Sequence, residues 1–234
     1  MNSYRKNAII VGVLFITAIV APLLSFPFTR HIDAPDYLIS VSANATQVTI
    51  GALLELIMAV ACVGIAIWLY PVLKKHNEAL ALGSVGFRII EGVFYIVGVV
   101  GLLSLVTLSR EFVKAGAPDA SYFQSLGTLL LAARDWAGVL GSFAFILGAL
   151  MYYYIFYQSK LIPRWLSVWG LIGVPLWIAA ELLIMFGLIE SFSTNAILLD
   201  IPIAVNEMVL AVWLIVKGFN SSAIASLSAK TDIN

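Results

Sequence analysis

Six stretches of this chain are each long and apolar enough to cross a lipid bilayer, and that feature constrains the fold more than any other. They run over Ala8–Phe28, Val48–Val72, Leu80–Leu108, Leu126–Tyr157, Ile162–Leu188 and Ile197–Phe219. A spanning helix needs about 20 mostly apolar residues. These runs lack the ten-residue alternation of a membrane barrel strand, so the periodicity favours helices. Composition agrees: 62% of the 234 residues are hydrophobic and only 11% are charged, against about 25% charged in a soluble protein. Too little polar surface exists to coat a water-soluble globule, which excludes a soluble enzyme or a disordered scaffold. The expected fold is all-α: a polytopic six-transmembrane-helix bundle forming a single domain over residues 1–219, followed by a polar cytoplasmic tail over 220–234.

Loop charges set the expected threading. Placing the N-terminus inside puts Arg5, Lys6, Lys74, Lys75, Lys160, Arg164, Lys217 and Lys230 on the cytoplasmic side, and only Arg30, Arg110 and Lys114 outside. This asymmetry predicts an N-in, C-in protein. The first span follows Arg5 and Lys6 as a signal peptide would. Its apolar run continues past Pro22 without an A-x-A site, so it reads as uncleaved. Tyr152, Tyr153, Tyr154 and Tyr157, with Trp165 and Trp169, fall where helices should cross the inner headgroup level, and read as an aromatic belt. Asp119 is expected to cap a fourth helix that starts well before the membrane. Pro71, Pro175 and Pro202 fall in or beside spans, where they can kink a helix.

The scarce charges inside the spans carry whatever functional signal exists. Glu55 lies in the second span, Arg88 and Glu91 in the third, and Arg134 and Asp135 in the fourth. Glu181 lies in the fifth, and Asp200, Asn206 and Glu207 in the sixth. Ionisable groups in hydrocarbon are costly and turn toward a bundle interior, a partner or water. Six acids against two arginines leave a surplus that must be protonated, hydrated or neutralised by a bound cation. Helical steps of three and four place Ser84, Arg88, Glu91 and Tyr95 on one face. The same steps align Gln47, Gly51 and Glu55; Asp135, Gly138 and Ser142; and Gly170, Gly173, Trp177 and Glu181. Small residues in these stripes let helices approach closely.

At about 1.5 Å of rise per residue, the set extends from the midplane outward. Glu55, Arg88, Glu91, Arg134, Asp135, Glu181, Asn206 and Glu207 are therefore the candidate ligand-binding residues of an outward-facing polar cavity. Asp200 lies nearest the headgroups and is the weakest member. The competing reading makes Arg88–Glu91 a self-neutralising pair and Arg134 a fold lock on Glu55 or Glu181.

What is missing narrows the chemistry. No histidine lies in a span, which argues against a zinc hydrolase or a bis-histidine haem site. No lysine lies mid-membrane, and no P-loop or G-x-S-x-G occurs. Cys62 is a lone cysteine in an apolar run and reads as a small buried hydrophobe. The zero net charge gives no nucleic-acid signature. No cofactor, metal or nucleic-acid partner is expected. Membrane lipids and a small ligand or cation are the expected partners, and the sequence leaves oligomeric state and catalytic residues open.

The stretches GALLELIMA from Gly51, GFRIIEGVFYIVG from Gly86, VKAGAPDASYFQSLGTLLLAARDWAG from Val113 and YQSKLIPRWLSVWGLIG from Tyr157 resemble a bacterial family of multi-pass membrane proteins classified as a domain of unknown function. The resemblance covers roughly residues 5–220. It implies a bacterial plasma membrane location and brings no activity, substrate or catalytic residue with it. Three roles follow as expectations. The first is binding or transport of a small cation, proton or amphiphile. The second is a structural or sensor subunit, and the third an intramembrane enzyme in which Arg88 or Arg134 would hold the phosphate of a lipid-linked substrate.

Overall fold

The computed structural model describes residues 3–116, 120–191 and 193–224. All regular structure among them is helical. The six apolar runs become α1 (Ser3–Thr29), α3 (Ala45–Leu73), α4 (Glu78–Lys114), α5 (Ala120–Ser159), α6 (Arg164–Met185) and α7 (Thr194–Val216), and each is long and apolar enough to cross a membrane. A helix satisfies its own backbone hydrogen bonds, which lipid cannot do. The helices run on through Pro22, Pro27, Pro71, Pro175 and Pro202. Asn77 caps α4 by accepting from the Leu80 amide at 3.0 Å, and Ser193 caps α7 through the Ala196 amide at 3.4 Å. The expected cap at Asp119 and residues 225–234 of the tail lie outside the described residues.

Two features differ from the sequence reading. The connection after α1 is itself ordered, as a 3-10 turn (Arg30–Asp33) followed by α2 (Tyr37–Ala43). Leu38 and Val41 of this seven-residue helix are buried in a cluster with Val99, Leu102 and Leu105 of α4. A window tuned to 20-residue spans cannot register so short an amphipathic piece. Helix α4 is also longer than its apolar run, at 37 residues, whereas the 40 residues of α5 begin well ahead of its apolar run, as expected. At 1.5 Å per residue they reach about 55–60 Å, nearly twice the ~30 Å hydrocarbon core.

The helices pack as a closed ring. Each spanning helix contacts the next in chain order, and α7 returns to α1. Their outward faces are apolar and open, with Leu23, Val60, Leu129, Ile172 and Val212 each at least half exposed, as lipid contact requires. Inside, the half nearer the start of α1 and the end of α7 is close-packed around Phe15, Leu69, Ile146, Phe156 and Leu214. Close approach depends on small residues: a Cβ added at Gly170 of α6 would collide with the ring of Tyr153 of α5. The ring is looser at the other end, which carries the 3-10 turn and α2, and the candidate residues divide across that boundary.

Candidate functional site

The polar stripes meet in the ring's interior in two separate groups. The first lines a cavity of about 680 Å³ at the end of the bundle away from the termini. Glu55 of α3, Arg134 and Asp135 of α5, Glu181 of α6 and Asp200 of α7 all face it. Asp33, on the connection after α1, joins them. Most of the remaining wall is apolar or aromatic, including Phe26, Phe94, Tyr95 and Trp177.

Within this cavity only one charge pair forms. Arg134 grips Glu55 with both terminal nitrogens, Nη1 to Oε2 and Nη2 to Oε1, each at 2.7 Å. Nη1 also donates to the Gly98 carbonyl at 3.4 Å, and Ser25 Oγ donates to Glu55 Oε1 at 3.1 Å. This bidentate geometry is the strong form of an arginine–carboxylate contact, and it ties α5 to α3 and α1. Of the two partners considered for Arg134, the structure selects Glu55. Glu181, buried at 7% exposure, accepts from the indole N–H of Trp177 one turn earlier at 2.8 Å. Asp33, Asp135, Glu181 and Asp200 form no salt bridge or hydrogen bond with a Lys, Arg or His side chain among the described residues, although the Arg134 charge lies near Asp135, and Asp200 Oδ1 is buried without a hydrogen bond.

The second group lies deeper toward the termini and does not line the cavity. Arg88 and Glu91 are each 2% exposed and Glu207 is 8% exposed. Arg88 Nη1 donates to both Glu91 oxygens, at 3.0 and 2.9 Å, and Nη2 reaches Glu207 at 3.4 Å. The Tyr152 hydroxyl donates to the same Glu207 oxygen at 2.7 Å. The guanidinium lies over the Phe145 ring at 4.6 Å, where the ring's electron-rich face adds attraction. Beside it, Tyr153 donates to Asn206 at 2.6 Å, and Asn206 donates to the Leu166 carbonyl at 3.0 Å. Four candidate residues, Arg88, Glu91, Asn206 and Glu207, thus form a packed polar knot under the cavity.

Tyr152 and Tyr153 correct the aromatic-belt reading. Both are fully buried and belong to the knot, while Tyr154 and Tyr157 remain exposed at 44% and 39%. The signal was available in the chain. Continuing the Asp135–Gly138–Ser142 stripe in steps of three and four leads through Phe145 and Ala149 to Tyr152, so helical period points Tyr152 inward. Asp33 lay in a connection with no periodic pattern, and nothing in the sequence joined it to the site. Cys62 is buried, as expected. Among the described residues, no group of three His, Cys, Asp or Glu side chains is arranged to hold a metal ion.

A family described as a domain of unknown function, DUF4386, matches residues 10–218, nearly the whole chain. The protein belongs to this family. No curated protein and no solved structure matches the chain, so the membership brings no activity with it.

Proposed function

We propose that the cavity binds, and in a transport cycle would carry, a small amphiphile with a cationic head. In this reading the protein sits in a bacterial plasma membrane with both termini in the cytoplasm, so the cavity faces outward. One observation carries the proposal: four carboxylates without a basic partner share a cavity whose other walls are largely apolar. Glu181 is buried and Asp200 partly buried, with Asp33 and Asp135 exposed beside them, and like charges gathered at one cavity repel unless a cation joins them. A volume of about 680 Å³ is far larger than a bare ion needs, and falls within the ~300–1,000 Å³ range of small-molecule sites. Phe94, Tyr95 and Trp177 offer ring faces to a positive head, and the apolar wall takes an alkyl tail.

The candidate ligand residues are then Asp135, Glu181 and Asp200, with Glu55 and Arg134 as a locked pair at the wall. The knot of Arg88, Glu91, Asn206, Glu207, Tyr152 and Tyr153 lies outside the cavity lining and serves as packed support for the helices that carry it. Both buried arginines are already engaged by carboxylates, which leaves the lipid-linked enzyme reading without a phosphate anchor in the cavity.

The test is titration of the purified full chain, in neutral detergent, with short alkyl chains of one length bearing trimethylammonium, zwitterionic or sulfonate heads. Calorimetry, or a change in intrinsic tryptophan fluorescence that is lost in Trp177→Phe, would report binding. The trimethylammonium compound should bind most tightly. Glu181→Gln and Asp200→Asn should each weaken it by roughly tenfold, as expected when one Coulombic contact to the quaternary ammonium is lost, while the protein still purifies folded. Equal affinity for all three heads, or variants that bind as well as the parent, would sink the proposal.

A further inference from the structure

A second pocket lies at the opposite end of the molecule, where the chain passes from α5 to α6 and leaves α7. It encloses about 630 Å³ and is lined by Lys160, Arg164 and Lys217, with Trp213 and the backbone of 161–163 and 218–221. Each cation comes from a different helix end: Lys160 directly follows α5, Arg164 opens α6 and Lys217 follows α7. No carboxylate lines the pocket. None of the three cations forms an ion pair among the described residues. Three positive groups gathered around one hollow without an acid create a local field that favours an anion.

Three further observations specify the anion. Pro163 precedes α6 and supplies no capping side chain; its carbonyl accepts from the Leu166 amide at 3.0 Å, which leaves the amides of Arg164 and Trp165 as the helix's outermost donors. Such a terminus favours phosphate-like groups. Lys160 is held at φ 57°, the one non-glycine residue with positive φ in the described chain. Glycine is the usual occupant at this position after a helix, and a side chain kept there against backbone preference points to a use for it. Finally, the surroundings carry the aromatic side chains favoured at a headgroup level. Trp165 is 53% exposed and packs at a tilt beside Trp169, with ring centres 6.4 Å apart, and the Arg164 guanidinium lies 5.4 Å from the Tyr157 ring centre. Tryptophan and tyrosine concentrate at that depth. The floor is preformed: the Asn220 amide donates to the Leu161 carbonyl at 2.8 Å, and Leu161, Ile162 and Phe219 are buried.

We propose that this pocket binds a phosphate group, with Lys160, Arg164 and Lys217 as its cationic ligands. The phosphate is either that of an anionic phospholipid headgroup or free in solution. The site is independent of the acidic cavity and of any ligand bound there.

Native mass spectrometry of the full chain tests this by titration with phosphatidylglycerol and with phosphatidylcholine of the same acyl chains. Inorganic phosphate serves as a third ligand and as competitor. Phosphatidylglycerol should bind in preference to phosphatidylcholine. Arg164→Gln, Lys217→Gln and Lys160→Gly should each weaken it by roughly fivefold, the effect of one basic residue near an anionic headgroup. All three side chains are exposed, and glycine suits the positive φ, so the variants keep the fold. Lys74→Gln with Lys75→Gln, at the same end but outside the pocket, should leave binding unchanged. Inorganic phosphate that binds with the same dependence on the three cations, and displaces the lipid, assigns the phosphate to solution. Failure to displace it assigns the phosphate to lipid. Equal binding of the two lipids with no binding of inorganic phosphate would overturn the proposal, as would an equal loss on removing Lys74 and Lys75.

Discussion

Arg88 keeps its charge at any physiological pH, because a guanidinium does not give up its proton in a protein. At 2% exposure it needs the Glu91 carboxylate and the phenol and carboxylate of Tyr152 and Glu207 around it. Removing the cation strands two acids, whereas neutralising one acid leaves the rest paired. Arg88→Met should therefore cost about 3–5 kcal/mol, the usual penalty for breaking a buried ion pair from one side. Glu207→Gln, which preserves an oxygen for Tyr152, should cost about 1 kcal/mol or less. Thermal unfolding in detergent checks the contrast, and equal losses would mean that the charges in the knot are not coupled. The sequence exposed every charged member of this knot, because a charge in a span is conspicuous. It concealed Tyr152 and Tyr153, whose type suits either a headgroup belt or a buried hydrogen bond, and only their place in the helical period decides between the two.

Among the helices, α6 shows how close approach and polar placement depend on each other. Gly170 lets the Tyr153 ring lie against the α6 backbone, and that position carries the Tyr153 hydroxyl to Asn206 on α7. One glycine therefore joins three helices. Gly170→Ala should destabilise the protein by about 1–3 kcal/mol through overpacking. Gly138→Ala, where a Cβ would meet nothing within 4 Å, should be neutral. Comparison of the two melting temperatures checks the packing argument. Spanning helices were legible because a 20-residue apolar run has few alternatives in lipid. Helix α2 was not, since its burial rests on only Leu38 and Val41, a pattern too brief for periodicity to register. The stripe of Asp135, Gly138 and Ser142 was legible, and all three residues line the cavity.

Across the whole molecule, the unpaired charges that line the two pockets are sorted along the bundle axis. The end bearing the termini carries the cations of the second pocket, and the other end carries the partnerless acids of the cavity. The division of the intramembrane charges into a cavity and a knot was hidden from the sequence. Rise per residue locates a side chain along one helix but says nothing of how neighbouring helices shift against one another. The sorting sets an orientation test. A cysteine placed at the exposed Ser191 should react with a membrane-impermeant maleimide in intact cells, and one at the exposed Ser221 only after permeabilisation. Native Cys62, at 5% exposure, should stay silent in both. The reverse labelling pattern would place the cavity on the cytoplasmic side.

The most direct measurement of the central claim is an experimental structure of the protein purified with its native lipids and small molecules retained. The account expects an elongated density in the cavity, its polar end among Asp135, Glu181 and Asp200 and its tail against the aromatic wall. A cavity closed by its own side chains, or holding only ordered water with those carboxylates turned away from one another, would contradict it.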